Sequence, residues 1–223
     1  MCFNETASLV AFSIGVISTI ILFQMKLYKF SIFYISIFLM QLVEYYAHKS
    51  LLTNNVNMNK LASYFGYFLI LLQPIILSYI TYNNINKNSQ NTLIFLCLSF
   101  ITFGLFSFYQ NYKSNKFRIS YIENICENIV CRLKWEYFNI NFYHNFIFGL
   151  FYFGIMVLIG YNRKIHNDSI LLILTFLLGL TILYMMFETK QINTFKTSIF
   201  GSLWCYLCVL AGPLVILNKN LIF

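Results

Sequence analysis

Long, continuous apolar runs alternate with short polar segments along the chain, and few charged residues interrupt them. A helix rises 1.5 Å per residue, so about 20 residues cross the ~30 Å hydrocarbon core of a bilayer. The runs lack the strict alternation of membrane β-barrel strands, which favours helices. The pattern predicts an all-α bundle of seven transmembrane helices in a single integral membrane domain covering residues 1–223. The predicted helices span approximately 7–25, 30–47, 61–83, 91–110, 140–161, 169–187 and 196–217.

The segment between the fourth and fifth runs, residues 117–135, has a different pattern. Its apolar residues recur at spacings of three and four, which places them on one face of a helix. These residues are Ile119, Ile122, Cys126, Ile129 and Leu133. The spacing predicts an amphipathic helix lying in the membrane interface or capping the bundle. Trp135 and Tyr137 are then expected at the depth of the lipid head groups.

Composition and charge agree with a membrane protein. Hydrophobic residues make up 59% of the chain and charged residues 10%, and the formal net charge is +8. The basic residues are spread over short loops and form no cluster interleaved with aromatic residues, so we expect no nucleic acid as a partner. The expected partners are the lipid bilayer and a small ion or a lipid as ligand. The sequence identifies no cofactor and no oligomeric state.

The charges around the first helix predict its orientation. Glu5 precedes the helix, whereas Lys26 and Lys29 follow it directly. Because basic residues favour the cytoplasmic side, we expect the N-terminus outside. Seven crossings then place the C-terminus in the cytoplasm.

Glu44 is the most informative polar residue, because a carboxylate within a membrane helix is costly and usually faces the bundle interior. Gln41, Glu44 and His48 lie within about 60° of one another around a helix. The group indicates a site that handles a proton or binds a cation, in a protein for sensing, transport or membrane organisation. The alternative is a structural polar cluster near the helix end.

Two further residues are expected on the same side of the membrane as this group. In an up-and-down path, His144 begins the fifth helix there and Cys2 precedes the first. Imidazole, thiolate and carboxylate are ligands that zinc accepts, so a metal-dependent intramembrane hydrolase is one alternative function. We also expect Cys2 within reach of Glu44, His48 or His144.

Cysteine pairs suggest a second alternative, a membrane thiol–disulfide oxidoreductase. Cys205 and Cys208 form a C-x-x-C within the last run, and Cys126 and Cys131 lie in the long loop as a second pair. The plainer interpretation is that the small residues of the last run allow close helix packing, with Cys205 among them. In the third run, Gln73 precedes Pro74, which predicts a kink with Gln73 bonding backbone groups of its own helix.

Several residues resemble those of a family of small polytopic membrane proteins of unknown function, found in bacteria and large DNA viruses. Its members begin Met-Cys-Phe-Ser with an Ala-Ser pair before the first helix, and here Met1-Cys2-Phe3-Asn4 precedes Ala7-Ser8. Gln41 and Glu44 match the family's Gln-x-x-Glu element. Ser202, Trp204 and Cys205 are similar to its last helix. The resemblance implies a polytopic architecture and no particular activity.

Overall fold

Helices make up most of the computed structural model, which describes residues 5–121, 133–138, 142–162 and 209–217. A small antiparallel sheet of two strands accompanies them in this part of the chain. The helices are α1 (Glu5–Gln24), α2 (Tyr28–Leu52), α3 (Val56–Thr81), α4 (Lys87–Lys113), α5 (Phe142–Asn162) and α6 (Ala211–Leu217). The strands are β1 (Ile119–Tyr121) and β2 (Leu133–Trp135), and short 3-10 turns occupy Tyr82–Asn84 and Glu136–Phe138.

Four helices in the described residues are long and apolar enough to cross a membrane: α1, α2, α4, and α3 together with its 3-10 extension. The all-α prediction is thus confirmed, and the helices are compatible with an integral membrane protein. Predicted helix five coincides with α5, and α6 lies within predicted helix seven. Predicted helix six and most of helix seven fall outside the described residues, so the count of seven stays a prediction.

Tight turns connect α1, α2 and α3 and make neighbouring helices antiparallel. Lys26 and Asn54 adopt left-handed backbone conformations, with φ of 63° and 51°, which reverse the chain within a few residues. Asparagine tolerates this region because its short side chain bonds locally. Asn55 then caps α3, since its side chain accepts a hydrogen bond from the Met58 amide at 3.0 Å.

Glycines let the helices approach closely at three contacts. Gly15 of α1 lies against Phe38 of α2, and Gly104 of α4 lies against Leu71 of α3. Gly212 of α6 lies against the Tyr34 ring of α2. At each contact a β-carbon would clash with the neighbouring side chain, so the absence of a side chain sets the helix separation.

The predicted amphipathic helix is wrong at both its ends. Ile119–Tyr121 and Leu133–Trp135 pair as antiparallel strands, with Ile119 opposite Trp135 and Tyr121 opposite Leu133. Residues 122–132 between them lie outside the described part of the chain. The strand period explains the difference, because apolar Ile119, Leu133 and Trp135 are buried while polar residues alternate with them.

Asn59 of α3 fixes β1 to the helices. Its side-chain amide donates to the Ile119 carbonyl at 2.9 Å, and its amide oxygen accepts from the Ile119 N–H at 2.8 Å. The same amide nitrogen is 3.1 Å from the Ser50 hydroxyl of α2. One side chain therefore satisfies both backbone groups of a strand residue and joins it to two helices.

Trp135 is buried within the protein, and its predicted depth at the lipid head groups stays a prediction. Its side chain is 1% exposed, and its ring lies over Gly66 of α3, where an added β-carbon would be 2.8 Å from the ring. Tyr137 is likewise buried and contacts the ring of Tyr67 edge-on, with ring centroids 5.3 Å apart. The two strands therefore cover the ends of α2 and α3 with a packed aromatic layer, which we call the hairpin cap (Ile119–Tyr121 with Leu133–Phe138).

A candidate functional site on one face of α2

The structure places all three predicted residues of the polar group inside the molecule. Gln41 and Glu44 are 0% exposed and His48 is 2% exposed. Helix α2 continues to Leu52, five residues beyond its predicted end at residue 47. Glu44 is therefore further from the helix end than expected for a structural polar cluster near that end. Burial of this kind is expensive for a polar side chain in a bilayer unless it faces the bundle interior.

One neighbouring face of α2 packs against α3. The Ser36 carbonyl accepts from Gln73 at 3.1 Å, and the Ser50 hydroxyl accepts from Asn59 at 3.1 Å. Ser36 and Ser50 are two heptads apart and so lie on nearly the same side of the helix. At 100° per residue, Gln41, His48 and Glu44 lie roughly 140°, 120° and 80° around the helix from Ser36. The polar group therefore does not face α3 directly.

The other neighbouring face meets α1 and α6. Phe38 packs on Gly15, and the Tyr34 hydroxyl donates to the Val209 carbonyl at 2.6 Å. Tyr34, Gln41 and His48 are spaced by seven residues and form one stripe along the helix. The polar face thus points between α3 on one side and α1 with α6 on the other, which is the bundle interior.

Each end of the stripe is closed by a different element. At one end, Tyr34 is fully buried beneath Val209 and Gly212. At the other end, the His48 ring contacts the Tyr121 ring of the hairpin cap, with centroids 5.8 Å apart. The hairpin cap therefore lies directly against the His48 end of the stripe.

The outer face of the hairpin cap carries its own charges and neutralises them locally. Glu136 accepts a hydrogen bond from the Ser120 hydroxyl at 2.9 Å and pairs with the Lys134 ammonium at 2.9 Å. Among the acidic residues in the described part of the chain, Glu5 and Glu136 are partly exposed, and only Glu44 is buried. Glu44 therefore differs from the other described acidic residues in being buried.

Gln41 adds an unusual feature at the middle of α2. Within the described residues, neither its amide oxygen nor its amide nitrogen has a hydrogen-bond partner. Leaving a buried polar atom unsatisfied costs about 1–3 kcal/mol, so such groups normally have a partner in the protein or an ordered water. An amide, a carboxyl group and an imidazole on one buried face together offer donors and acceptors for a proton, a water chain or a small cation.

A second buried polar centre was not predicted. Gln73 donates to the Ser36 carbonyl of α2 and accepts from the Tyr152 hydroxyl of α5 at 2.6 Å. The predicted bonding of Gln73 to its own helix is therefore wrong, because its partners lie on two other helices. One signal in the sequence indicates this role: Asn59, Gly66 and Gln73 repeat every seven residues along the packed face of α3.

The remaining predicted site residues are not all available for comparison. His144 lies in α5, but its side chain is outside the described part of the structure. Cys2, Cys126, Cys131, Cys205 and Cys208 also lie outside it, so the redox and metal alternatives stay predictions. Within the described residues, no group of three His, Cys, Asp or Glu side chains is arranged to hold a metal ion.

Comparison with known proteins leaves the site to be interpreted from its geometry. No protein-family model matches the chain, and neither a search of curated proteins nor one of solved structures gives a match.

Proposed function

We propose that the polar face of α2 binds and passes a proton or a small cation, in a seven-helix integral membrane protein that serves transport or sensing. The observation that carries this proposal is the complete burial of Gln41 and Glu44, with His48 nearly buried, on one interior face of a helix long enough to span the membrane.

Spacing along the helix supports a chain of exchange sites. Glu44 lies about 4.5 Å along the axis from Gln41, and His48 about 6 Å beyond Glu44. Carboxyl and imidazole groups both take up and release protons, and the Gln41 amide offers a donor and an acceptor to a bridging water. In this scheme His48, beneath the hairpin cap, exchanges with the aqueous side, and Glu44 is the interior acceptor.

The membrane orientation and family membership are part of the same proposal. Lys26 and Lys29 after α1 support an N-terminus outside and a cytoplasmic C-terminus. The Met1-Cys2-Phe3 start and the Gln41–Glu44 pair support membership of the family of small polytopic membrane proteins described above. Glycosylation reporters placed after Leu217 and within residues 122–132 test the orientation. We expect the reporter within 122–132 to be modified, and modification of the reporter after Leu217 alone would show that the orientation is the opposite one.

Flux through reconstituted protein tests the proposed activity. We expect vesicles with the wild-type protein to take up protons or a small cation faster than protein-free vesicles under an imposed gradient. Glu44→Gln keeps the shape of the side chain and removes its charge, so flux should fall to the protein-free level.

Glu5→Gln is the matched control, because it removes an acidic group that lies at the start of α1 rather than on the polar face. It should retain wild-type flux. Equal flux in Glu44→Gln and wild type would contradict the proposal, as would wild-type flux no higher than that of empty vesicles for protons, sodium and potassium.

A further inference from the structure

A groove at the opposite end of the bundle from the hairpin cap has the chemistry of a lipid site. It has a volume of about 490 Å³ and lies between the start of α2, the end of α3 and the start of α4. Ligand sites commonly measure roughly 300–1,000 Å³, so the groove is large enough for part of a lipid. Its side is open, because Tyr79, Ile94 and Leu98 on its walls are exposed.

The floor of the groove presents apolar surface. Ile75 and Ile80 of α3 line it and are partly exposed. The two polar side chains beside them interact with each other across α3 and α4: the Cys97 thiol is 3.1 Å from the Ser78 hydroxyl, which donates to the Pro74 carbonyl of its own helix at 2.7 Å. The floor therefore suits an aliphatic chain rather than a polar ligand.

The mouth of the groove is basic. Lys29, in the first turn of α2, lines it and is exposed, and within the described residues it forms no ion pair. Asn83 of the 3-10 turn lies on the same rim. Gln90 of α4 holds this turn in place, because its amide donates to the Tyr82 and Ile85 carbonyls, each at 3.0 Å.

The depth of the groove matches one leaflet. From Asn83 at the rim to Ile75 at the inner end, the helical rise corresponds to about 12 Å. Half of a ~30 Å hydrocarbon core is about 15 Å. A lysine at the interface above an apolar slot of this depth is complementary to a lipid with an anionic head group and an acyl chain.

We propose that this groove binds an anionic phospholipid, with its phosphate at Lys29 and one acyl chain along Ile75 and Ile94. Lys29 and His48 are about 28 Å apart along α2, so this site is separate from the polar face. The inference stands independently of the proposed transport activity. If the orientation above holds, the groove opens to the cytoplasmic leaflet, where anionic lipids are concentrated.

Native mass spectrometry of the purified full chain, titrated with phosphatidylglycerol or phosphatidylcholine of identical acyl chains, tests the site. One lysine near a membrane surface contributes enough to favour an anionic lipid about fivefold. We expect the wild type to prefer phosphatidylglycerol by about this factor. Lys29→Gln should lose the preference, whereas substitution of Lys87, an exposed lysine at the start of α4 that does not line the groove, by Gln should leave it unchanged.

Two further measurements test whether the lipid binds in the groove. Ile94→Trp should weaken binding of both lipids, because the larger ring fills the open side of the groove. Glycerol phosphate, which shares the head-group phosphate but has no acyl chain, should not displace the lipid. Equal preferences in Lys29→Gln and Lys87→Gln, undiminished binding in Ile94→Trp, displacement by glycerol phosphate, or the absence of saturable lipid binding would each overturn the proposal.

Discussion

Two buried glutamines of the bundle differ in what their amides contact. Gln73 bonds to Ser36 and Tyr152 and so joins three helices at one point. Gln41 has no hydrogen-bond partner among the described residues. A fully bonded amide stabilises packing, whereas the Gln41 amide, unbonded within the described residues, lies on the same face of α2 as Glu44. The two glutamines therefore differ in how far the described helices account for them.

Removing the Gln73 amide should destabilise the bundle. Gln73→Leu breaks two inter-helix hydrogen bonds, each worth about 0.6 kcal/mol on average and up to about 1.7 in membrane proteins. We expect the free energy of unfolding in mixed micelles to fall by about 1–3 kcal/mol, and by a smaller amount in Tyr152→Phe, which breaks one bond.

The matched control is Thr102→Val on α4. Its hydroxyl is exposed and, within the described residues, donates to the Leu98 carbonyl of its own helix, so the change should stay within about 0.5 kcal/mol. If Gln73→Leu and Thr102→Val unfold alike, Gln73 does not join the helices as described.

The sequence predicts some of these residues and not others. The interior position of Gln41, Glu44 and His48 follows from the helical period and the cost of a charge in lipid, both of which are local properties. The partners of Gln73 depend on which helices meet, and that depends on tertiary contacts such as Gly104 against Leu71. A single sequence contains no direct record of such contacts.

The hairpin cap forms from a segment whose sequence fits both a helical period and a strand period. The spacing from Ile119 to Leu133 fits a helix, yet Leu133-Lys134-Trp135-Glu136-Tyr137 alternates apolar and charged residues, which is typical of a strand. The structure follows the alternation at both ends. Pairing is favoured there because Gly66 makes room for Trp135 and Asn59 bonds both backbone groups of Ile119.

Asn59 should therefore control the stability of the hairpin cap. Asn59→Leu leaves the Ile119 N–H and carbonyl without their side-chain partner, at a cost of about 1–3 kcal/mol. We expect amide hydrogen exchange to accelerate roughly 5- to 150-fold in 119–121 and 133–135, while exchange in α4 stays unchanged.

Ser120→Ala provides the comparison, because it removes a hydrogen bond to Glu136 on the outer face of the same strand. It should have a much smaller effect on exchange. Unaltered protection of β1 in Asn59→Leu would show that the Asn59 side chain does not hold the strand.

The two proposed sites of the molecule lie at different positions along α2. Lys29 and the lipid-sized groove lie at one end, and His48 under the hairpin cap lies at the other, with Gln41 and Glu44 between them in the interior. The apolar runs predict the four long apolar helices of the described residues, because crossing a bilayer imposes length and composition. The groove and the hairpin cap arise from contacts between helices and strands, so the apolar runs of the sequence do not predict them.

The proposed function depends most on whether Glu44 exchanges a proton or a small cation from inside the bundle. Infrared difference spectroscopy on the membrane-reconstituted protein, between high and low pH, tests this directly. We predict a protonated carboxyl band that shifts in heavy water, persists in Glu5→Gln and is lost in Glu44→Gln. Identical difference spectra for Glu44→Gln and wild type would contradict the account.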